Sequence, residues 1–218
     1  MLIAFLGDSL TEGWPGAAYF PLLDRRLWQH RLLNRGRAGD TVADLLTRMR
    51  YQGLERVDCA FIWVGANDAV MAAWDSSELG SGWSWPERLM RLAGDYEELL
   101  EWTEARAPCI VVVRPLVLES EGSIWEERAA EVAEAIARIA AARGSCRVVD
   151  LRPAFAAAAG KDDGPFTTDG VHFTDAGARV VADVFAAVVT ELEAEGAPSG
   201  ARDDGPPEYA AGDPGDGA

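Results

Sequence analysis

The sequence predicts an α/β protein, a three-layer α/β/α sandwich around a five-stranded parallel sheet. Three observations predict it. Five short apolar runs recur along the first 151 residues, and stretches with helical spacing alternate with them. The run at 59–64, Cys59-Ala60-Phe61-Ile62-Trp63-Val64, is apolar on both faces, as a strand covered by helices on either side must be.

The elements follow in order. The first strand is 2–6 and ends at Gly7, and a helical stretch covers 17–29. A short second strand, 32–34, precedes a helix over 41–50, with Thr41 a candidate N-cap and Asp44 three residues on. After the third strand, 59–64, a long helix over 86–105 carries Pro86 in its first turn, where proline is tolerated. The Val/Ile-rich run 109–113 is the fourth strand, and 124–143 is an Ala/Glu-rich helix closed by Gly144. A fifth strand, 147–151, and a final helix, 174–195, complete the pattern. Five βα units in succession imply a parallel sheet with helices on both faces, and the flavodoxin-like strand order 2-1-3-4-5 is expected. No repeat at solenoid spacing is present.

One domain is expected over 1–196. From 197 to 218 the chain turns to Gly, Pro, Ala and Asp, with Tyr209 its one large aromatic residue. Such a tail buries too little surface to offset its ordering entropy, and disorder is expected there.

The chain has 218 residues, 49% hydrophobic and 26% charged, with a net charge of −16. That charge disfavours nucleic acid and anionic lipid surfaces as partners. The three cysteines, Cys59, Cys109 and Cys146, lie in strand-like stretches without paired metal-ligand spacing, so buried thiols are expected rather than disulfides or a zinc site. No basic segment with a long apolar run precedes Gly7, and no run approaches 18 apolar residues. A signal peptide and a membrane span are therefore not expected, and the expected location is cytoplasmic.

The chemistry concentrates where strands end. Ser9 follows Gly7 and Asp8 at the carboxyl end of the first strand, the edge where open α/β sheets bind ligands. A serine there is either a nucleophile or a helix cap, and a nucleophile needs a base. The chain has two histidines. His30, in Trp28-Gln29-His30-Arg31, reads as a surface residue near a helix C-terminus. His172, in Asp169-Gly170-Val171-His172, follows an acidic loop, 161–169, able to fold over a sheet edge. Asp169 stands three residues before it, so one turn can bring a carboxylate to the ring. Asp162, Asp163 and Asp175 are rivals for that role. Walker, GxGxxG, HExxH and GxSxG motifs are absent, and neither a catalytic metal nor a cofactor is expected.

Four blocks occur in order: Gly7-Asp8-Ser9-Leu10, Asn34-Arg35-Gly36-Arg37-Ala38-Gly39-Asp40, Gly65-Ala66-Asn67-Asp68 and Asp169-Gly170-Val171-His172. In these the chain resembles the SGNH hydrolases, the GDSL esterase/lipase superfamily, over nearly its whole length without the tail. The resemblance implies a serine hydrolase with Ser9 as nucleophile, His172 as base and Asp169, favoured over its rivals, as the orienting acid. It also implies three oxyanion donors: the backbone N–H of Ser9, the backbone N–H of Gly39 and the side-chain amide of Asn67. Gly36 competes with Gly39, but the Gly39-Asp40 pair matches better. Asp8 and Asp68 are implied to be structural.

Substrate choice is expected in the loops after the third and fourth strands. The first holds Trp74, Trp83 and Trp85, which form either a wall beside Asn67 or packing against the domain body. The second begins at Arg114, which meets either a substrate anion or one of the chain's many acidic side chains. The expected activity is hydrolysis of a small-molecule acyl ester, with short acyl groups such as acetyl favoured. Acyl transfer, a lysophospholipase or thioesterase, and a non-catalytic binding module are the alternatives.

Overall fold

The computed structural model describes residues 1–74, 82–118, 122–159 and 164–196, with the side chains of 72–74 left aside. The expected tail at 197–218 lies outside the described residues. Five parallel strands form one sheet: β1 (Leu2–Gly7), β2 (Arg31–Gly36), β3 (Cys59–Trp63), β4 (Cys109–Val113) and β5 (Cys146–Val149), in the order β2-β1-β3-β4-β5. The α/β fold and its strand order are as the sequence predicts.

The sheet is sided by the period-2 alternation of its strands. Ile3 and Phe5, Phe61 and Trp63, and Val111 and Val113 face one layer, which is built around Tyr19, Phe155, Phe173 and Phe185. Leu6, Ile62 and Val112 face the other, where Leu45, Met49, Tyr96, Leu99 and Ile136 cover them. The first layer is strongly aromatic: Phe185 lies 5.3 Å from Tyr19 edge-on and 5.1 Å from Phe61, centroid to centroid. Truncating Phe185 to Ala would leave a cavity in that cluster and cost about 3–5 kcal/mol.

The helices are α1 (Ser9–Glu12), α2 (Phe20–Arg26), α3 (Val42–Gln52), α4 (Ala66–Trp74), α5 (Trp85–Glu104), α6 (Ile124–Ala141), α7 (Arg152–Ala158) and α8 (Asp175–Ala194). Thr41 caps α3 in a reciprocal pair with Asp44, and Thr174 caps α8. Three departures from the sequence reading matter. The stretch read as one helix over 17–29 is only the seven residues of α2. Residues 69–74, expected as the start of a substrate loop over 69–85, belong to α4, so Trp74 is a helix terminus and not a loop residue. α6 ends at Ala141 and is capped by Ala142 in right-handed conformation, so Gly144 does not close it. Of the thiols, Cys59 is buried, but Cys109 and Cys146 are half-buried rather than buried as expected.

β1 ends in register with its neighbours on both sides, Gly7 beside Gly36 of β2 and Trp63 of β3. The segments that leave these three strands therefore emerge side by side. Those segments carry Ser9, Gly39 and Asn67.

Candidate active site

Ser9 is the first residue of α1, immediately after β1. The turn is forced by close approach at Gly7, where a Cβ would lie 2.3 Å from Thr11 Oγ1 and 2.5 Å from the Trp63 carbonyl oxygen. The Asp8 carboxylate accepts a hydrogen bond from the Leu10 N–H at 3.0 Å and so caps α1. Helix start and strand end together hold Ser9 at 5% exposure, and its N–H, in the first turn, has no partner within the helix.

The Ser9 Oγ lies 3.1 Å from His172 Nε2, and His172 Nδ1 lies 2.7 Å from Asp169 Oδ2. The short contact to a carboxylate places the proton on Nδ1 and leaves Nε2 to accept from the serine hydroxyl. The Asp169 Oδ1 accepts from the backbone N–H groups of Val171 (3.0 Å) and His172 (2.7 Å). Partial burial works to raise the Asp169 carboxyl. The His172 ring and these two N–H groups outweigh it and hold the carboxyl below its usual range. The turn is fixed from outside as well: the His172 carbonyl accepts from Thr168 N–H at 2.8 Å, Thr167 bridges Phe173, and the Gly170 carbonyl accepts from Leu118 N–H at 2.7 Å. Asp175 is instead the first residue of α8, and Asp162 and Asp163 lie outside the described residues.

Asn67 sits in the first turn of α4 and donates from Nδ2 to the Asp40 carbonyl at 2.9 Å, which ties it to the loop of Gly39. Gly39 has φ +83°, in the left-handed region, and a Cβ there would meet nothing within 4 Å. Its value is conformational, since the open space would accept a side chain that the backbone angle disfavours.

Three carboxylates surround this edge. Burial pushes Asp8 up to about 7, assisted by Asp68 and Asp40 and opposed by the Leu10 N–H. Burial likewise lifts Asp68 to about 7, although it accepts from the Val42 N–H at 3.1 Å. Asp40 also stands above the usual range through burial, despite its contact with Arg48. Sequence reasoning missed Arg48. It also missed Glu12, whose Oε2 accepts from the Ala38 N–H at 2.6 Å beside Gly39. The signal for Arg48 was a lone cation on the face of α3 that otherwise carries Val42, Leu45, Leu46 and Met49.

The other candidates fall elsewhere. His30 is 4% exposed, not a surface residue, with Nδ1 3.0 Å from the Met1 amino group and Nε2 3.4 Å from Glu193. Both of these partners are distant in sequence, one at the N-terminus and one on α8. Arg114 lies 3.2 Å from Glu134 and 3.8 Å from Asp150, an acidic pairing rather than an open anion site. Trp83 and Trp85 line a cavity of about 330 Å³ together with Thr41, Asp68, Met71 and Leu92. Trp85 also donates from Nε1 to Glu131 at 2.9 Å, and Arg91 stacks 3.8 Å over the Trp83 ring. Residues 75–81, between Trp74 and Trp83, lie outside the described residues, as does part of the loop after Arg114.

The sequence model of the GDSL-like Lipase/Acylhydrolase family matches residues 5–180, from β1 into α8. The chain belongs to that family. The protein is thus an SGNH-type hydrolase, an esterase or acylhydrolase acting on small-molecule esters. Solved structures share its fold. An α/β hydrolase enzyme, LAE5, from the metagenome of Lake Arreo, Spain, is 24% identical with TM-score 0.72, covering 88% of this chain and 95% of that one. The acetyl xylan esterase AlAXEase is 23% identical with TM-score 0.71, covering 87% and 100%. A lipase/acylhydrolase from Enterococcus faecalis is 21% identical with TM-score 0.62, covering 95% and 99%. No curated protein sequence matches the chain. Among the described residues of this hydrolase, no helix is long and apolar enough to cross a membrane.

Proposed function

We propose that the hydrolase is a serine esterase that cleaves short-chain acyl esters, acetyl esters first among them, through an acyl-enzyme on Ser9. The observation that carries the reading is the continuous chain from Ser9 Oγ to His172 Nε2 (3.1 Å) and from Nδ1 to Asp169 (2.7 Å). As Ser9 Oγ attacks the acyl carbon, its proton passes to Nε2, and Asp169 stabilises the imidazolium. The carbonyl oxygen, now an anion, is met by the N–H groups of Ser9 and Gly39 and by the Asn67 amide, whose Nδ2 keeps a second hydrogen beyond the one given to Asp40. The imidazolium then gives its proton to the departing alkoxide. Water repeats the sequence on the acyl-enzyme and releases the acid.

The cavity lined by Trp83 and Trp85 begins at Thr41, two residues beyond Gly39, and at Asp68, one residue beyond Asn67. We assign it to the remote part of a larger ester, with Met71 and Trp83 as the exposed apolar wall. Two neighbours of like fold are described as acetylxylan esterases, AlAXEase and Axe2 from Geobacillus stearothermophilus, which favours an acetyl group on a bulky alcohol as the first substrates to try. Ser9→Ala removes the nucleophile and is expected to reduce p-nitrophenyl acetate hydrolysis by at least about a thousandfold, with an unchanged circular dichroism spectrum. Retained turnover would end this reading.

A further inference from the structure

The segment carrying Gly39 is the least supported part of the oxyanion group. Nothing lies within 4 Å of where its Cβ would be, so packing does not locate it. Its flanks do. On one side the Ala38 N–H is held by Glu12 and the Arg37 N–H by the Gly7 carbonyl at 3.1 Å. On the other side stands Asp40, whose carboxylate accepts from Arg48.

Arg48 is 8% exposed, on the buried face of α3 between Leu45 and Met49. A guanidinium in such a place persists only if its donors are used. Nε donates to Asp40 Oδ2 at 2.7 Å, and Nη2 lies 2.7 Å from the same oxygen. Nη2 also reaches the Gly7 carbonyl at 3.2 Å and the Arg35 carbonyl at 3.0 Å. Gly7 closes β1 two residues before Ser9, Arg35 lies near the end of β2 just before the Gly39 loop, and the Asp40 carbonyl accepts from Asn67. One planar cation therefore touches the supports of all three oxyanion donors, and it lies one layer behind them.

We propose that Arg48 is the positioning residue of the oxyanion group, fixing Gly39 relative to Ser9 and Asn67 through Asp40, Gly7 and Arg35. The inference rests on the oxyanion assignment above. Arg48 is 8% exposed, and the role assigned to it needs no contact with the substrate. Its effect falls on the one contact made fully only when the carbonyl oxygen becomes an anion, so its loss lowers kcat and spares KM. Small displacements of such donors are costly, on the order of a hundredfold per ångström. Lysine is not equivalent, because a point ammonium cannot span the same three acceptors in a fixed plane.

The test compares wild type with Arg48→Lys and Asp40→Asn, using p-nitrophenyl acetate kinetics, thermal unfolding, and inhibition by ethylboronic acid, which forms a tetrahedral adduct on a reactive serine. For Arg48→Lys we expect kcat lower by about 30- to 100-fold, KM within about twofold, and boronate affinity reduced in step with kcat. The pH dependence of kcat should keep its midpoint, because His172 and Asp169 are untouched. Asp40→Asn preserves shape and is expected to lose about tenfold in kcat; it is the deciding variant if Arg48→Lys does not fold. A folded Arg48→Lys with wild-type kcat, or one whose deficit lies in KM, overturns the proposal, as does a folded Asp40→Asn with wild-type kcat. Labelling of wild-type Ser9 by a fluorophosphonate separates the two readings. An unlabelled Ser9 ends the esterase mechanism, whereas a labelled Ser9 with an unaffected Arg48→Lys ends only the role of Arg48.

Discussion

Ser9 and Asp169 belong to one hydrogen-bonded chain, yet the protein holds them by different means. Ser9 stands at the end of a strand flanked on both sides, within reach of three buried or half-buried carboxylates and a buried arginine. Asp169 sits on a surface turn with its side chain 52% exposed, and its place is set by backbone N–H groups two and three residues away. The Ser9 side depends on long-range packing and desolvated charge. The Asp169 side depends on a local turn that its own sequence encodes. The two should therefore answer differently to the same kind of change, a carboxylate made into an amide.

Asp169→Asn gives the largest expected effect. Asn Oδ1 can still accept from Val171 and His172, so the turn survives. Its NH2 then faces Nδ1 and favours the tautomer that cannot take the Ser9 proton. Activity should fall by about a thousandfold or more with no change in unfolding midpoint, read from esterase kinetics and urea titration. A fall in stability instead would mean that the charge, not the turn, holds this loop.

Asp8→Asn should show the reverse, a stability effect that depends on pH. In the folded protein the carboxyl is raised from 3.8 to about 7, so the fold favours the protonated form. Its contribution is complete below about pH 4 and is lost as pH rises through about 7. Asn keeps an acceptor for the Leu10 N–H and remains a good N-cap. At pH 8 the variant should be more stable by roughly 2–4 kcal/mol, and at pH 4 it should match wild type, as measured by urea unfolding at both values. Equal stabilisation at the two values would place the effect outside this titration.

Trp83→Ala is the smallest change. Loss of one exposed indole from the cavity wall should raise KM for acetyl esters of bulky alcohols about 3- to 10-fold and leave p-nitrophenyl acetate unaffected. An equal effect on both esters would place Trp83 at the reacting carbonyl, not at the remote alcohol.

The contrast between the two regions also governs what could be read in advance. The Asp169–His172 turn was legible because its partners lie three residues apart. The cap Thr41 was legible for the same reason, and the alternation of apolar strands with helices gave the parallel α/β class for which the order 2-1-3-4-5 was expected. Residues 69–74 were taken for loop together with the Gly/Ser-rich stretch that follows them, although Asn67-Asp68 is suited to a helix's first turn and Val70, Met71, Ala72 and Ala73 follow it. α7 begins with Pro153 in its first turn, a start signal that a reading centred on strands passed over. His30 was taken for a surface residue because nothing nearby in sequence announces that Met1 and Glu193 of α8 will meet it.

By itself the sequence determined the α/β class, the serine, histidine and aspartate placed at sheet-edge loops, and the family. These rest on periodicity, capping and short motifs, all properties of neighbours along the chain. The tertiary structure alone decided that Arg48 would be enclosed beneath the Gly39 loop, that Arg114 would turn to Glu134 and Asp150, and that Asp8 would be held near neutrality. Each depends on which groups meet from 8 residues apart (Arg48 and Asp40) to 60 (Asp8 and Asp68) and on how much water is left between them. Burial and the choice of partner arise only when the strands close side by side.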